Sequence, residues 1–237
     1  MTVTYQVLNM ANGGGSENLL INPRGKINQL NESDGVLSVG QYFCDGWKAG
    51  AAGAEVYRDA DGFRLISGSI LQQVPNNLDI GRTIKGNMDT VLGTPAIRIN
   101  GGTDSELSDD QPYITFEVFG NNSKFSRLIL AESESLPIYQ QSADELSPCL
   151  AFLQIVDAIY HHAGAGSSEH WQRHVLSPLM AINPAVHRIN DGSVSSATAG
   201  TRTSSPLKGG FLLYKGVSYG DPAVDVLGGK YLVDGRL

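Results

Sequence analysis

The stretch Tyr113-Ile114-Thr115-Phe116-Glu117-Val118-Phe119 alternates apolar and polar positions. In an extended chain successive side chains point to opposite faces, so Ile114, Phe116 and Val118 share one face and Thr115 and Glu117 the other. One dry side and one wet side describe a strand of an antiparallel sheet. The same grain continues outward. Residues 125–131 and 96–100 are short apolar runs, and residues 54–58 and 62–69 flank Asp59-Ala60-Asp61-Gly62, a hairpin-turn signal. Residues 19–22 form an apolar run closed by Pro23, and residues 41–48 and 78–88 read as further strands. No long helical period interrupts them. The expected fold class is mainly β: an antiparallel β-sandwich of jelly-roll type, followed by a helix and a smaller β domain.

The helix is expected over residues 143–162. Ser142-Ala143-Asp144-Glu145 fits a capping box, in which Ser142 accepts from a free backbone N–H and Glu145 reaches back. Leu146, Cys149, Leu150, Leu153, Val156 and Tyr160 then fall at helical spacing. Beyond it, residues 175–182, 185–190, 211–217 and 229–233 read as strands. Residues 169–174 read as a polar connector, and residues 193–206 as an exposed strand pair or a loop. The expected domains are an N-terminal arm and Gly-rich linker at 1–17, the sandwich at 18–139 and the helix-plus-β domain at 140–237. The linker is Asn12-Gly13-Gly14-Gly15-Ser16.

Composition narrows the function classes. The chain has 237 residues and only 17% charged side chains, against an average of about 25%. Its net charge is −7, and the imbalance sits in residues 101–150, which carry 9 acidic and 2 basic groups. No basic block exists, which argues against nucleic acid as a partner, since phosphate neutralisation needs clustered Lys and Arg. No apolar run approaches the ~18–20 residues of a membrane span, so no membrane insertion is expected. Residues 1–15 lack the basic start and apolar core of a secretory leader, and the expectation is synthesis in the cytoplasm. Cys44 and Cys149 lie among apolar residues and read as buried free thiols.

Candidate chemistry is sparse. His161, His162, His170 and His174 cluster, and His170 and His174 would face one metal if they stood on a helix. The acidic loop 101–111, with Asp104, Glu106, Asp109 and Asp110, would suit calcium but lacks EF-hand spacing. No other cofactor is expected. Glu117, Glu132 and Glu134 are strand-borne carboxylates of the kind a glycosidase pairs, though alternation already explains them as solvent-facing. Ser205-Pro206-Leu207-Lys208 matches S-x-x-K without a helix to aim the serine. Trp47, beside Phe43, reads as core. Trp171, among Glu169, His170, Gln172 and Arg173, reads as exposed. Trp171 with His170 is therefore the expected carbohydrate contact, because aromatic faces stack on the CH faces of sugar rings.

Asn18-Leu19-Leu20-Ile21-Asn22-Pro23, then Ile27-Asn28-Gln29, then Gln41-Tyr42-Phe43-Cys44-Asp45-Gly46-Trp47-Lys48 resemble a module of bacteriophage tail-fibre and related virion attachment proteins. That module opens with an Asn-Leu-Leu-Ile-Asn strand, an Asn-Gln pair and a Tyr-x-x-Asp-Arg-Trp turn. The similarity continues in order through residues 128–139, Asp144-Glu145-Leu146-Ser147-Pro148-Cys149-Leu150, residues 179–184 and residues 229–234. Two positions depart from it: Gly46 stands where the module has Arg, and Leu150-Ala151 where it has Gln-Arg. The resemblance implies a carbohydrate-binding-module-like jelly roll and a surface-glycan ligand.

The expected protein is a non-enzymatic fibre, head-fibre or decoration subunit located in the virion. Its expected partners are other virion proteins of capsid or tail and host-surface polysaccharide, and its expected assembly is a homotrimer by analogy. The rivals are a purely structural capsid or tail decoration protein and a polysaccharide depolymerase.

Overall fold

Alternation at residues 113–119 becomes strand β8 (Tyr113–Phe119), in which Ile114, Phe116 and Val118 are fully buried. The structure, a computed structural model, describes residues 17–160, 169–181, 184–188, 201–207, 210–216 and 227–236. The chain is mainly β. Strand β8 belongs to a nine-stranded antiparallel sheet with β1 (Gly35–Leu37), β2 (Tyr42–Cys44), β3 (Trp47–Asp59), β4 (Gly62–Pro75), β5 (Thr83–Leu92), β6 (Ala96–Ile99), β7 (Ser105–Leu107) and β9 (Ser123–Glu132).

The Asp59–Gly62 turn joins β3 to β4 as a hairpin. Along its other edge β4 changes partner. Phe63 to Leu65 pair with β9, and Ser69 to Pro75 pair with β8. Gly68 sits at the change with φ +84°, and a Cβ there would lie 2.2 Å from the Gly53 carbonyl oxygen. Only glycine fits such a position.

Strands β8 and β9 thus run on as one ribbon, as do β5 and β6, and the two ribbons pair with each other. Both are broken at the same level, at residues 93–95 and 120–122. There the sheet folds back, bringing Gly86 of β5 against Ile97 of β6 and Phe116 of β8, each 2.9 Å from where a Cβ would stand. The result is sandwich-like. Between its layers Phe43, Trp47, Phe63, Phe116 and Phe125 pack with ring centroids 5.3 to 6.2 Å apart, in tilted and edge-to-face arrangements that suit aromatic quadrupoles. The Trp47 indole N–H, fully buried, donates to the Asn22 carbonyl at 2.9 Å.

The opening segment braces this core without forming a strand. Asn18 accepts from the amides of Leu20 and Leu130 and donates to the Leu128 carbonyl. Asn22, at φ +48°, donates to the carbonyls of Ile27 and Asp45. Gln29 donates twice to the Asp45 carboxylate, from backbone and side chain. The Asn, Gln and Asp positions of the opening motif are therefore hydrogen-bonded to the framework.

The twenty-residue helix expected over 143–162 is not formed. Helix α1 covers only Leu146–Leu150, and β10 (Leu153–Tyr160) follows it. Strand β10 pairs along its whole length with β15 (Leu227–Asp234). A ladder to a strand about seventy residues away outweighs a local helical stripe that includes the β-branched Ile155, Val156 and Ile159. The capping box also resolves differently. Asp144 caps the turn by accepting from the amides of Leu146 and Ser147, while the Glu145 carboxylate pairs with Arg24.

The rest of the C-terminal region comprises β11 (Glu169–Val175), β12 (Ala185–Arg188), β13 (Thr201–Leu207) and β14 (Gly210–Gly216). They form two three-stranded antiparallel sheets, β10-β15-β12 and β11-β14-β13. The expected connector 169–174 is thus a strand. Of the strand expected over 175–182, Val175 ends β11, and residues 176–181 are a non-strand segment that buries Leu176 and Met180 against Tyr231 and Val233. No helix among the described residues is long and apolar enough to cross a membrane.

Candidate functional site

Strand β6 pairs with β8 alone among the described residues, so its other edge opens toward β5 where the ribbon folds back. Gly86 brings the two strands close at one point, against Ile97. The turn after β6 bridges the gap. Asn100 and Gly101 take positive φ values of 50° and 81°, the Ile99 amide donates to the Thr103 carbonyl, and the Gly86 amide donates to the Asp104 carbonyl, both at 2.8 Å. Between these walls lies an open groove of about 490 Å³.

Its lining is mixed. Met88, Ile97 and Phe119 give apolar surface, and Asn87, Thr90, Arg98, Thr103 and Asp104 bring polar groups. The Arg98 guanidinium lies 3.9 Å from the centroid of the Phe119 ring. Register explains the contact. Ala96 stands directly opposite Phe119 and covers little of the ring, so Arg98, two residues on, reaches it diagonally. Glu117 stands opposite Arg98 in the ladder but turns toward β3, where its Oε1 would lie 3.0 Å from a Cβ on Gly50. Among the described residues neither Arg98 nor Asp104 makes an ion pair. The Asn87 amide is committed, donating to the Pro137 carbonyl, and the Thr103 hydroxyl donates to the Ser105 carbonyl.

A second polar assembly joins the sandwich to the C-terminal region. Arg24 pairs with Glu145 at 2.7 Å and Asp61 at 3.2 Å, and the Tyr139 hydroxyl donates to Glu145 at 3.2 Å. Burial, with the Glu145 carboxylate beside it, pushes the Tyr139 phenol up to about 12. Nearby, Arg236 pairs with Glu32 at 2.7 Å and Asp234 at 2.9 Å and lies 4.1 Å over the Tyr42 ring. Burial likewise pushes Tyr42 up to about 12, against the lowering effect of Arg236. Asp234 and Glu32 hold the Arg236 guanidinium above its ordinary range although burial works the other way.

The residues singled out from the sequence are dispersed. His170 and Trp171 stand on β11, opposite Lys215 and Tyr214 of β14, and their side chains lie outside the described residues. His161 and His162 lie outside them altogether. On a strand, positions four apart are separated by ~13 Å, so His170 and His174 cannot hold one ion as helical neighbours would. In the acidic loop, Asp104 lines the groove, Glu106 accepts from the Thr103 amide, and Asp109 and Asp110 both accept from Gln111. Among the described residues no three His, Cys, Asp or Glu side chains are grouped to hold a metal ion. Glu132 pairs with Arg82, Glu134 accepts from the Thr83 hydroxyl, and Glu117 stands on β8 opposite Leu71 and Arg98.

Cys44 and Cys149 are buried free thiols as expected, and burial pushes both up. The residues that sequence reading missed are Arg98 and Phe119. Each is an ordinary strand residue, and only the pairing of β6 with β8 stacks them. No protein family, no curated protein and no solved structure matches the chain.

Proposed function

We propose that the chain is a non-enzymatic bacteriophage virion protein that attaches to the particle and binds host-surface carbohydrate. In this reading the nine-stranded sheet is a jelly roll of the carbohydrate-binding-module kind, and other virion proteins of the capsid or tail hold the subunit in place. The observation that carries it is the groove at the β5–β6 fold-back. It is open to solvent and lined by apolar side chains, suited to the CH faces of sugar rings, together with polar side chains suited to their hydroxyls. A site of that shape suits a segment of a long polymer better than a small enclosed metabolite. Weak single sites repeated in a homotrimer, and again around a particle, give avidity without a tight individual contact.

The test is binding of the fluorescently labelled protein to intact host cells before and after their surface polysaccharide is stripped. Binding that disappears with the polysaccharide is the expected result, and a fall in Trp171→Ala or His170→Ala would add a second contact on β11 to the groove. Binding to virions but to no cell in a panel containing the host overturns the attachment reading in favour of a decoration subunit. Release of new reducing ends from the polysaccharide overturns the non-enzymatic reading in favour of a depolymerase.

A further inference from the structure

We propose that the β5–β6 groove selects a saccharide bearing a carboxylate, bound through Arg98, with neutral hydroxyl-bearing sugars on either side of the acidic one. The inference rests on the carbohydrate-binding reading and names the substrate class of that site.

Arg98 carries the argument. A guanidinium seated over an aromatic ring is held by the cation–π contact and keeps N–H donors free for the fork that matches a carboxylate. Here the ring is Phe119, at 3.9 Å. A protein that needed Arg98 only for its sheet would pair it with Glu117, its cross-strand neighbour. Glu117 instead turns toward Gly50, leaving the guanidinium stacked, exposed and without an ion pair among the described residues. Its stem is fixed by the stack, so an incoming anion orders little that is not already ordered.

The other wall says which anion. Asp104 faces the same groove and accepts hydrogen bonds only. Beside it a polyphosphate or a densely charged polyanion is repelled, whereas sugar hydroxyls are good donors to it. The net charge of −7 adds to that discrimination, since it disfavours approach of highly charged anions. Met88 and Ile97 supply apolar surface for a ring face. One cationic fork, one carboxylate acceptor and an apolar wall together describe a single acidic sugar set among neutral ones.

Titration calorimetry tests this with oligosaccharides in which glucuronate or sialate alternates with neutral sugars, each beside its carboxyl-reduced counterpart. The acidic forms are expected to bind about tenfold or more tightly than the reduced ones, the range of a charge-assisted hydrogen-bonded pair. Arg98→Ala is expected to erase that preference and Arg98→Lys to restore part of it. Asp104→Asn is expected to weaken acidic and reduced forms alike. Arg98 is exposed, so an unchanged thermal melt establishes that the variant is folded. Equal binding of acidic and reduced forms, a preference that survives Arg98→Ala, or no binding of any oligosaccharide overturns the proposal. If cell binding still depends on the polysaccharide while Arg98→Ala leaves it unchanged, this inference falls and attachment stands. If the protein binds no cell, both fall.

Discussion

In the nine-stranded sheet Phe43, Trp47, Phe63, Phe116 and Phe125 close over one another with no exposed surface. In the sheet β10-β15-β12 the buried cluster among the described residues is Leu176, Met180, Tyr231 and Val233, with Val156 and Val186 half-buried beside it. Both regions use the same antiparallel ladders, but among the described residues only the first encloses a large apolar interior. A three-stranded sheet over so small a cluster has little to offset the entropy of ordering its strands. Its supports come from outside: Arg236 on Glu32, the Gln29 side chain on the Leu153 carbonyl, and Glu145 on Arg24. The sandwich holds itself, and the β10-β15-β12 sheet leans on it through charged and polar contacts.

The largest expected effect breaks the self-supporting half. Trp47→Ala removes a fully buried indole that touches Phe63 and Phe116 and leaves the Asn22 carbonyl with the Gly25 amide alone as donor. The expected cost is about 3–5 kcal/mol, read from denaturant unfolding. Because the second region leans on the first, hydrogen exchange is expected to quicken in both. Exchange that quickens in the sandwich alone would show that the C-terminal sheet stands by itself.

Arg236→Ala tests the converse. It removes the partner of Glu32, whose second carboxylate oxygen is already buried without one. The expected loss is about 3 kcal/mol, the cost of stranding a buried charge. It should appear as faster exchange in β15 and β10 while the amides around Trp47 keep their protection. Equal loss in both regions would show that the two unfold as one unit.

What was legible in the sequence follows the same division. A sheet with one wet face writes alternation into each strand, so residues 113–119 and the Asp59–Gly62 hairpin were readable without any partner. The strands of the C-terminal region are defined by pairing at long range. Leu146, Cys149, Leu150, Leu153, Val156 and Tyr160 carry a helical stripe, yet β15 claims the second half of that segment. Glu169 to His174 show no apolar alternation and are a strand because β14 pairs with them.

The groove was illegible for a related reason. Arg98 and Phe119 are unremarkable apart and meaningful only where β6 lies along β8. Gly46 shows the opposite case. It stands where the resembled turn has Arg, and the backbone there has φ +80°, where a Cβ would stand 2.7 Å from Gln72 and 2.8 Å from Ile21. No larger residue fits that turn as this chain builds it.

The smallest expected effect sharpens the comparison through pH. Tyr42 and Tyr139 both lie at the junction, and burial pushes each up to about 12 from an ordinary value near 10. A raised pKa means that the fold favours the neutral phenol. The associated stability is therefore complete below pH 10 and is lost as pH rises toward 12. For Tyr139 the loss is also local, since a phenolate would face the Glu145 carboxylate that its hydroxyl now donates to. In Tyr139→Phe the alkaline unfolding midpoint is expected to rise by about half a pH unit, with stability at pH 7 nearly unchanged. Tyr139 belongs to the junction, where its hydroxyl donates to Glu145. The early alkaline signal should therefore come from exchange at α1 and β10, and an unchanged midpoint would mean that the junction opens before its tyrosines titrate.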